Sequence, residues 1–181
     1  HIMQNQDNHP DFISRAGTTM MVVAWVLFML ILAGGFDYLL AKRTNPNQNI
    51  VTNEYHLANG LQKEIVLQRN AYGHYVTSGT INDNEVVFLL DTGATEIAIP
   101  ESLANDIGLI KKQRIVVKTA NGNARAYRTQ RIASVRIGDI KLYDLNATIL
   151  TNMPGKEILL GMNFLKHLEI TQKGKTLTIK Q

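Results

Sequence analysis

The chain has 181 residues, a formal net charge of +4 and an isoelectric point near 9.3. It contains no cysteine, which excludes disulfides, thiol nucleophiles and zinc sites built on cysteine. No run of basic residues is interleaved with aromatic side chains, so nucleic-acid binding is not expected. The length suits one globular domain with a further segment beside it.

The first apolar segment, TTMMVVAWVLFMLILAGGF, covers Thr18 to Phe36 without a charge. About 19 apolar residues can cross the hydrocarbon core of a bilayer. A signal peptide usually has a shorter apolar region, and a buried helix of a soluble domain keeps a polar face, which this segment lacks. We therefore predict a transmembrane helix over residues 18–40. The N-terminal tail before it, residues 1–17, begins with His-Ile-Met, which resembles a cloning remnant.

Positive charges flank this helix on both sides, with Arg15 before it and Lys42 and Arg43 after it. By itself this small count favours a cytoplasmic C-terminal part. Residues 41–60 are polar and include the stretch TNPNQN. They are predicted to be a linker that holds the following domain away from the membrane.

Short apolar runs separated by turn signals fill residues 61–181 and predict a mostly β domain. PESLANDIG predicts a short helix, with Pro100 in its first turn and Gly108 at its C-terminal end. Asn121-Gly122 predicts a hairpin between two further runs. About eight strands and one or two short helices suggest a small closed β-barrel. The predicted strands cover Lys63–Gln68, His74–Ile81, Glu85–Leu90, the segments RIVVKTA and ARAYRTQRIASVRI, KLYDLNATIL, EILL, LEITQ and TLTIK.

The stretch FLLDTGATEIAIP places Asp91 directly after an apolar strand and before a second one. Asp-Thr-Gly also fits an ordinary turn, because Asp binds backbone amides and Gly adopts unusual dihedral angles. The context favours a function. ILLG, at Ile158 to Gly161, again ends an aliphatic run in glycine before a short helix, and the Asn-Gly hairpin lies between the two motifs.

LLDTGAT, TANGNARAY and ILLGMNFL in this order resemble the retropepsin-like aspartic proteases, in particular their bacterial, single-domain, membrane-anchored branch. The likeness runs from about His74 to Gln181. It implies an all-β, retropepsin-like small barrel behind the transmembrane helix, and an aspartic endopeptidase without a metal or organic cofactor. Since the chain has a single Asp-Thr-Gly triplet, a second Asp91 must come from another copy, and the enzyme would be a homodimer.

The resemblance also implies a role for each motif residue. Asp91 from each subunit would activate water, because two neighbouring carboxylates share one proton and so supply a base and an acid. Thr92 would brace the two turns across the axis, and Gly93 would let backbone approach the carboxylate. Ala94 stands where many aspartic proteases have a hydroxyl that stabilises the ionised carboxylate, so we expect a working pH less acidic than a pepsin's.

The hairpin would be the flap that closes over a peptide substrate, with Ala120, Asn121 and Gly122 contacting it. Gly161 would lie under the Asp91 turn, and Asn163 matches the family pattern. Met162 stands where retroviral members have an arginine, so the retroviral dimer interface is not transferred in detail.

Two other interpretations remain open at the level of sequence. The same barrel could be a catalytically silent dimerisation or peptide-binding module on a membrane anchor, or a spacer behind an anchor that mediates assembly. The scattered histidines show no ligand spacing, so no metal site is predicted. The resemblance places the domain in the periplasm, on a single-pass anchor in the bacterial inner membrane, against the charge count.

Overall fold

The computed structural model describes residues 12–58, 60–119 and 122–181. The chain divides into two compact units, residues 1–41 and 42–181. Helix α1 spans Phe12–Thr44. Its segment Thr19–Thr44 is long and apolar enough to cross a membrane by length and composition, and its apolar side chains are exposed.

The second unit is mostly β, as predicted, with two short helices among its described residues. Hydrogen bonding arranges the strands in two sheets. Its elements are β1 (Thr52–Leu57), β2 (Gly60–Gln68), β3 (Val76–Ile81), β4 (Asn84–Leu90), β5 (Ile97–Pro100), α2 (Glu101–Asp106), β6 (Lys111–Thr119), β7 (Gly122–Thr129), β8 (Ile132–Ile137), β9 (Ile140–Leu145), β10 (Ala147–Leu150), β11 (Glu157–Leu160), α3 (Met162–Leu165), β12 (Glu169–Lys173) and β13 (Thr176–Lys180).

The smaller sheet has the order β1-β2-β13-β12 and is antiparallel throughout. The larger sheet has the order β6-β7-β10-β5-β11-β4-β3-β8-β9. It contains two parallel pairs, β5 with β10 and β4 with β11. Alternating apolar residues of both sheets pack into one core, to which β2, β13, β4, β5, β10, β11 and α3 contribute Ile65, Leu67, Ile179, Phe88, Ile97, Ile149, Ile158 and Phe164.

Two predicted runs are each divided in the structure. Residues 124–137 include most of β7 and all of β8, and residues 141–150 include most of β9 and all of β10. In the first case the hydrogen-bond partners change: β7 pairs with β6 and β10, whereas β8 pairs with β3 and β9. In the second case Asp144, with a φ of 61°, precedes the break.

The polar segment predicted as a linker, residues 41–60, has a specific structure in the part described. It continues α1 to Thr44 and includes β1. Asn45 and Asn47 are buried. A polar composition is compatible with this burial because both side chains are hydrogen-bonded: Asn47 binds main-chain groups of β2 and β3, and Asn45 binds the Ser78 hydroxyl and the Asn47 amide.

Candidate active site

Asp91 follows β4 at the point where three strands meet. The chain reaches it along β4 and leaves along β5, and β11 lies between these two strands. Leu160 of β11 pairs with Leu90, and Leu159 pairs with Ala98 of β5. The Asp91 amide donates to the Leu160 carbonyl oxygen at 3.2 Å. Strands that are distant in sequence therefore fix the position of this carboxylate.

The turn after Asp91 holds the carboxylate by its own backbone. The Gly93 amide donates to Asp91 Oδ1 at 2.8 Å, and the Ala94 amide donates to the Asp91 carbonyl oxygen at 3.2 Å. A Cβ on Gly93 would lie 3.1 Å from Oδ1, so glycine permits this close approach. Asp91 is half-buried, whereas Thr92 and Gly93 are exposed. The turn thus presents its carboxylate and its threonine at the surface.

The glycine of the second motif lies against this turn, as predicted. A Cβ on Gly161 would lie 2.7 Å from the Ala94 carbonyl oxygen and closer still to that of Glu96. The amide after it, Met162, donates to the Ala94 carbonyl oxygen at 2.8 Å, and Asn163 donates to that of Thr95 at 3.0 Å. Main-chain hydrogen bonds from the start of α3 therefore support the Asp91 turn.

Further polar contacts extend this support. The Asn163 side chain donates from Nδ2 to the Asn146 carbonyl oxygen at 2.7 Å. Thr148 of β10 donates to Glu96 Oε2 at 3.2 Å. Sequence reasoning did not identify Glu96, Asn146 or Thr148 as contacts of the site. Thr148 lies near Glu96 because β5 and β10 pair in parallel, which brings IAIP and ATIL together, and no motif in the sequence indicates that pairing.

The predicted hairpin is present as β6 and β7. Thr119 pairs with Gly122, and Thr119 Oγ1 donates to the Gly122 carbonyl oxygen at 2.8 Å. Gly122 has a φ of 101° and begins β7. Of the residues predicted to contact a substrate, Ala120 and Asn121 lie outside the described residues. Ile115 and Val117 are half-buried, whereas Val116 between them is exposed, so one face of β6 is the more covered.

Comparisons with known proteins identify sequences that are similar to this chain. Residues 77–167 match the family model for gag-polyprotein putative aspartyl protease. The chain is 36% identical over 114 residues to an uncharacterized protein in the cobV 5′ region of Sinorhizobium sp, which covers 61% of this chain and 48% of that one. It is 33% identical over 67 residues to an uncharacterized protein of Rickettsia prowazekii, covering 35% of this chain and 29% of that one. The chain thus spans about half or less of the length of these two relatives.

A solved structure has the same fold. The crystal structure of a retropepsin-like aspartic protease from Rickettsia conorii superposes with a TM-score of 0.56 and 23% sequence identity. The match covers 72% of this chain and 94% of that one. The predicted retropepsin-like fold is therefore confirmed.

Proposed function

The chain belongs to the gag-polyprotein putative aspartyl protease family, and we propose that it is a membrane-anchored aspartic endopeptidase that acts as a homodimer. One observation carries the proposal: Asp91 directly follows β4 in a surface turn, where the Gly93 amide donates to its Oδ1 at 2.8 Å. The carboxylate is fixed in position and half-exposed. It is accessible to water, to a peptide and to a second carboxylate.

Peptide hydrolysis explains why two copies are needed. A base must activate water while an acid protonates the carbonyl oxygen of the scissile bond. Two carboxylates that share one proton supply both functions. The chain has one Asp-Thr-Gly triplet, so the second carboxylate is Asp91 of another copy, with the site on a two-fold axis. The exposed Thr92 is free to meet its symmetry mate.

The remaining site residues take roles around this pair. Gly93 holds the Asp91 carboxylate in position through its amide, which donates to Oδ1. Ala94 carries no hydroxyl that could add a further hydrogen bond. The hairpin of β6 and β7 closes over an extended peptide, which Ala120, Asn121 and Gly122 contact.

The anchor is assigned to residues 18–40, which connect through residues 41–60 to a protease domain of residues 61–181. The bacterial sources of the relatives and the resemblance to the membrane-anchored branch support an inner-membrane location with a periplasmic domain. A C-terminal reporter that is active only after export should therefore be active. Activity of a C-terminal reporter that works only in the cytoplasm would instead show the opposite orientation.

The decisive test of catalysis is Asp91→Asn, which keeps the size of the side chain and removes its charge. Cleavage of a peptide library by the full chain should fall by about 10²- to 10⁴-fold, the usual contribution of a positioned acid or base. Asp139→Asn makes the same change at the β8–β9 turn and should leave cleavage unchanged. Equal cleavage by the wild type and Asp91→Asn, or none by the wild type at high surface density, would instead favour a silent dimerisation or peptide-binding module.

A further inference from the structure

The segment that leaves α1 is held tightly in the protease domain. The Asn47 side chain donates to the carbonyl oxygens of Gln68 at 2.8 Å and Val76 at 2.7 Å, and it accepts from the Gln68 amide at 2.7 Å. The Asn47 amide donates to Asn45 Oδ1 at 3.0 Å. We call residues 45–47 with these bonds the asparagine clasp. It joins the end of β2 to the beginning of β3.

The clasp lies on the strand next to the one that delivers Asp91. Asn47 forms a parallel bridge with Thr77, and the Ser78 amide donates to the Asn47 carbonyl oxygen at 3.2 Å. Thr77 in turn pairs with Phe88 of β4. At this same end of the sheet, the Leu90 amide donates to the Tyr75 carbonyl oxygen at 3.0 Å. The clasp and the Asp91 turn therefore share one end of the β3–β4 pair.

This register gives the distance between the clasp and the carboxylate. Two strand spacings, about 10 Å, separate Asn47 from β4, and three residues, about 10 Å, separate Phe88 from Asp91. These two displacements are perpendicular, so Asn47 and Asp91 are about 14 Å apart. Thr44 is three residues before Asn47 and adds at most about 11 Å. The end of α1 is thus within about 25 Å of the catalytic residue.

That distance is short for a domain of this size. A unit of residues 42–181 has a radius of gyration of about 14 Å and a diameter of about 37 Å. A site opposite the attachment point would lie about 37 Å from it. The bound of about 25 Å follows from covalent continuity and strand register, whatever the direction in which the helix leaves the domain. If α1 spans a bilayer, as the proposed function assumes, Thr44 is at the membrane surface.

We propose that the substrates are membrane proteins, cut in the extended segment that follows a membrane span. The inference rests on the proposed function, namely proteolysis by an anchored dimer. A flexible segment of about 20 residues has an end-to-end distance of about 25 Å, whereas about 45 residues are needed for about 37 Å. The enzyme should therefore prefer scissile bonds about 10 to 20 residues from the span of the substrate.

Cleavage in vesicles tests this preference. One scissile sequence is placed behind a membrane span with Gly/Ser spacers of about 15 or about 45 residues, and is also supplied as a free peptide. Beyond the optimum, effective concentration falls as the −3/2 power of length, so the short spacer should be cut about five-fold faster. A flexible insertion of about 20 residues between Ala41 and Lys42, before the clasp, should abolish this advantage. The same insertion in the β12–β13 turn at the exposed Gly174 should retain it.

A second readout needs no catalysis. The chain has no cysteine, so Thr92→Cys in the Asp91→Asn background gives a single labelling site beside the catalytic turn. Energy transfer to acceptor lipids should place the dye within about 25 to 30 Å of the headgroups. The insertion before the clasp should lower this transfer, and the insertion at Gly174 should not.

The outcomes separate the two proposals. Cleavage of the free peptide together with equal or faster cutting of the long spacer would overturn the inference and leave the protease standing. Transfer reporting a dye about 37 Å or more from the lipid would overturn the inference in the same way. No cleavage of any form of the peptide would overturn the proposed function and, with it, the substrate class.

Discussion

Ala94 is the residue through which the site should set its working pH. Its amide and carbonyl oxygen are already bound, to Asp91 and Met162, and its side chain offers no donor. Because many aspartic proteases have a hydroxyl at this position, we expect the serine of Ala94→Ser to donate to the Asp91 carboxylate and favour its ionised form. The ionised base then persists to lower pH. A hydrogen bond to a charged group contributes about 1.5 to 3 kcal/mol, and one pH unit corresponds to about 1.4 kcal/mol, so the acid limb of the kcat/KM profile should move down by about one to two pH units.

The control is Ala133→Ser, the same change at an exposed position of β8. Its pH profile should coincide with that of the wild type. An acid limb that stays in place in Ala94→Ser would contradict the role given to position 94.

Gly161 is required because the backbone after Asp91 occupies the space that a side chain would need. The Cβ of Gly161→Ala would meet the carbonyl oxygens of Ala94 and Glu96, which belong to main chain and cannot rotate away. We expect a loss of about 1 to 3 kcal/mol in the free energy of unfolding, typical of overpacking. We also expect kcat per folded molecule to fall, because the turn must shift. Urea unfolding and active-site titration measure the two effects.

Gly79→Ala separates these effects, because Gly79 is equally crowded but lies on β3. Its Cβ would lie 2.7 Å from the Phe88 ring and closer still to the Arg136 carbonyl oxygen. This variant should lose stability and keep kcat per folded molecule. Full kcat in Gly161→Ala would show that the turn tolerates the shift.

At the scale of elements, patterning predicts what is local. The apolar runs of β2, β3 and β4 and the helix signals of α2 are visible in the sequence, as are the turn that holds Asp91 and the glycine that supports it. β1 was not predicted, because TNEYHL is polar and mostly exposed at the edge of its sheet. The periodicity of apolar residues also does not indicate which strands pair with one another. The contacts of Glu96 with Thr148 and of Asn163 with Asn146 arise from such pairings and could not be predicted.

The asparagine clasp gives a defined structure to part of residues 41–60, whose polar composition predicted a linker. In Asn47→Ala, three side-chain hydrogen bonds are lost and the backbone groups of Gln68 and Val76 lose partners. At about 1 kcal/mol for each bond, the free energy of unfolding should fall by about 3 kcal/mol. Urea unfolding of the full chain in micelles measures this change.

Asn53→Ala is the matched control, because Asn53 is an exposed residue of β1. It should change the free energy of unfolding by less than about 0.5 kcal/mol. If the free energy of unfolding falls as little in Asn47→Ala as is expected for Asn53→Ala, the clasp contributes little to stability.

At the scale of the whole molecule, the proposed activity depends on how two chains meet. The described unit presents one Asp91 turn, and the proposed mechanism requires two. The proposed anchor would confine both chains to one bilayer and raise their effective concentration, so that a weak interface would be sufficient. Specific activity should therefore rise with the protein-to-lipid ratio at constant total enzyme.

Mixing wild type with Asp91→Asn in the same vesicles tests the shared site directly. If subunits assort at random, about a quarter of the dimers in an equal mixture carry two intact carboxylates, so activity per wild-type subunit should fall to about half. Mixing with Asp139→Asn at the same total density should cause no loss, since both subunits are intact. A monomeric active enzyme would instead keep its activity per wild-type subunit at every ratio, and that result would contradict a site built from two chains.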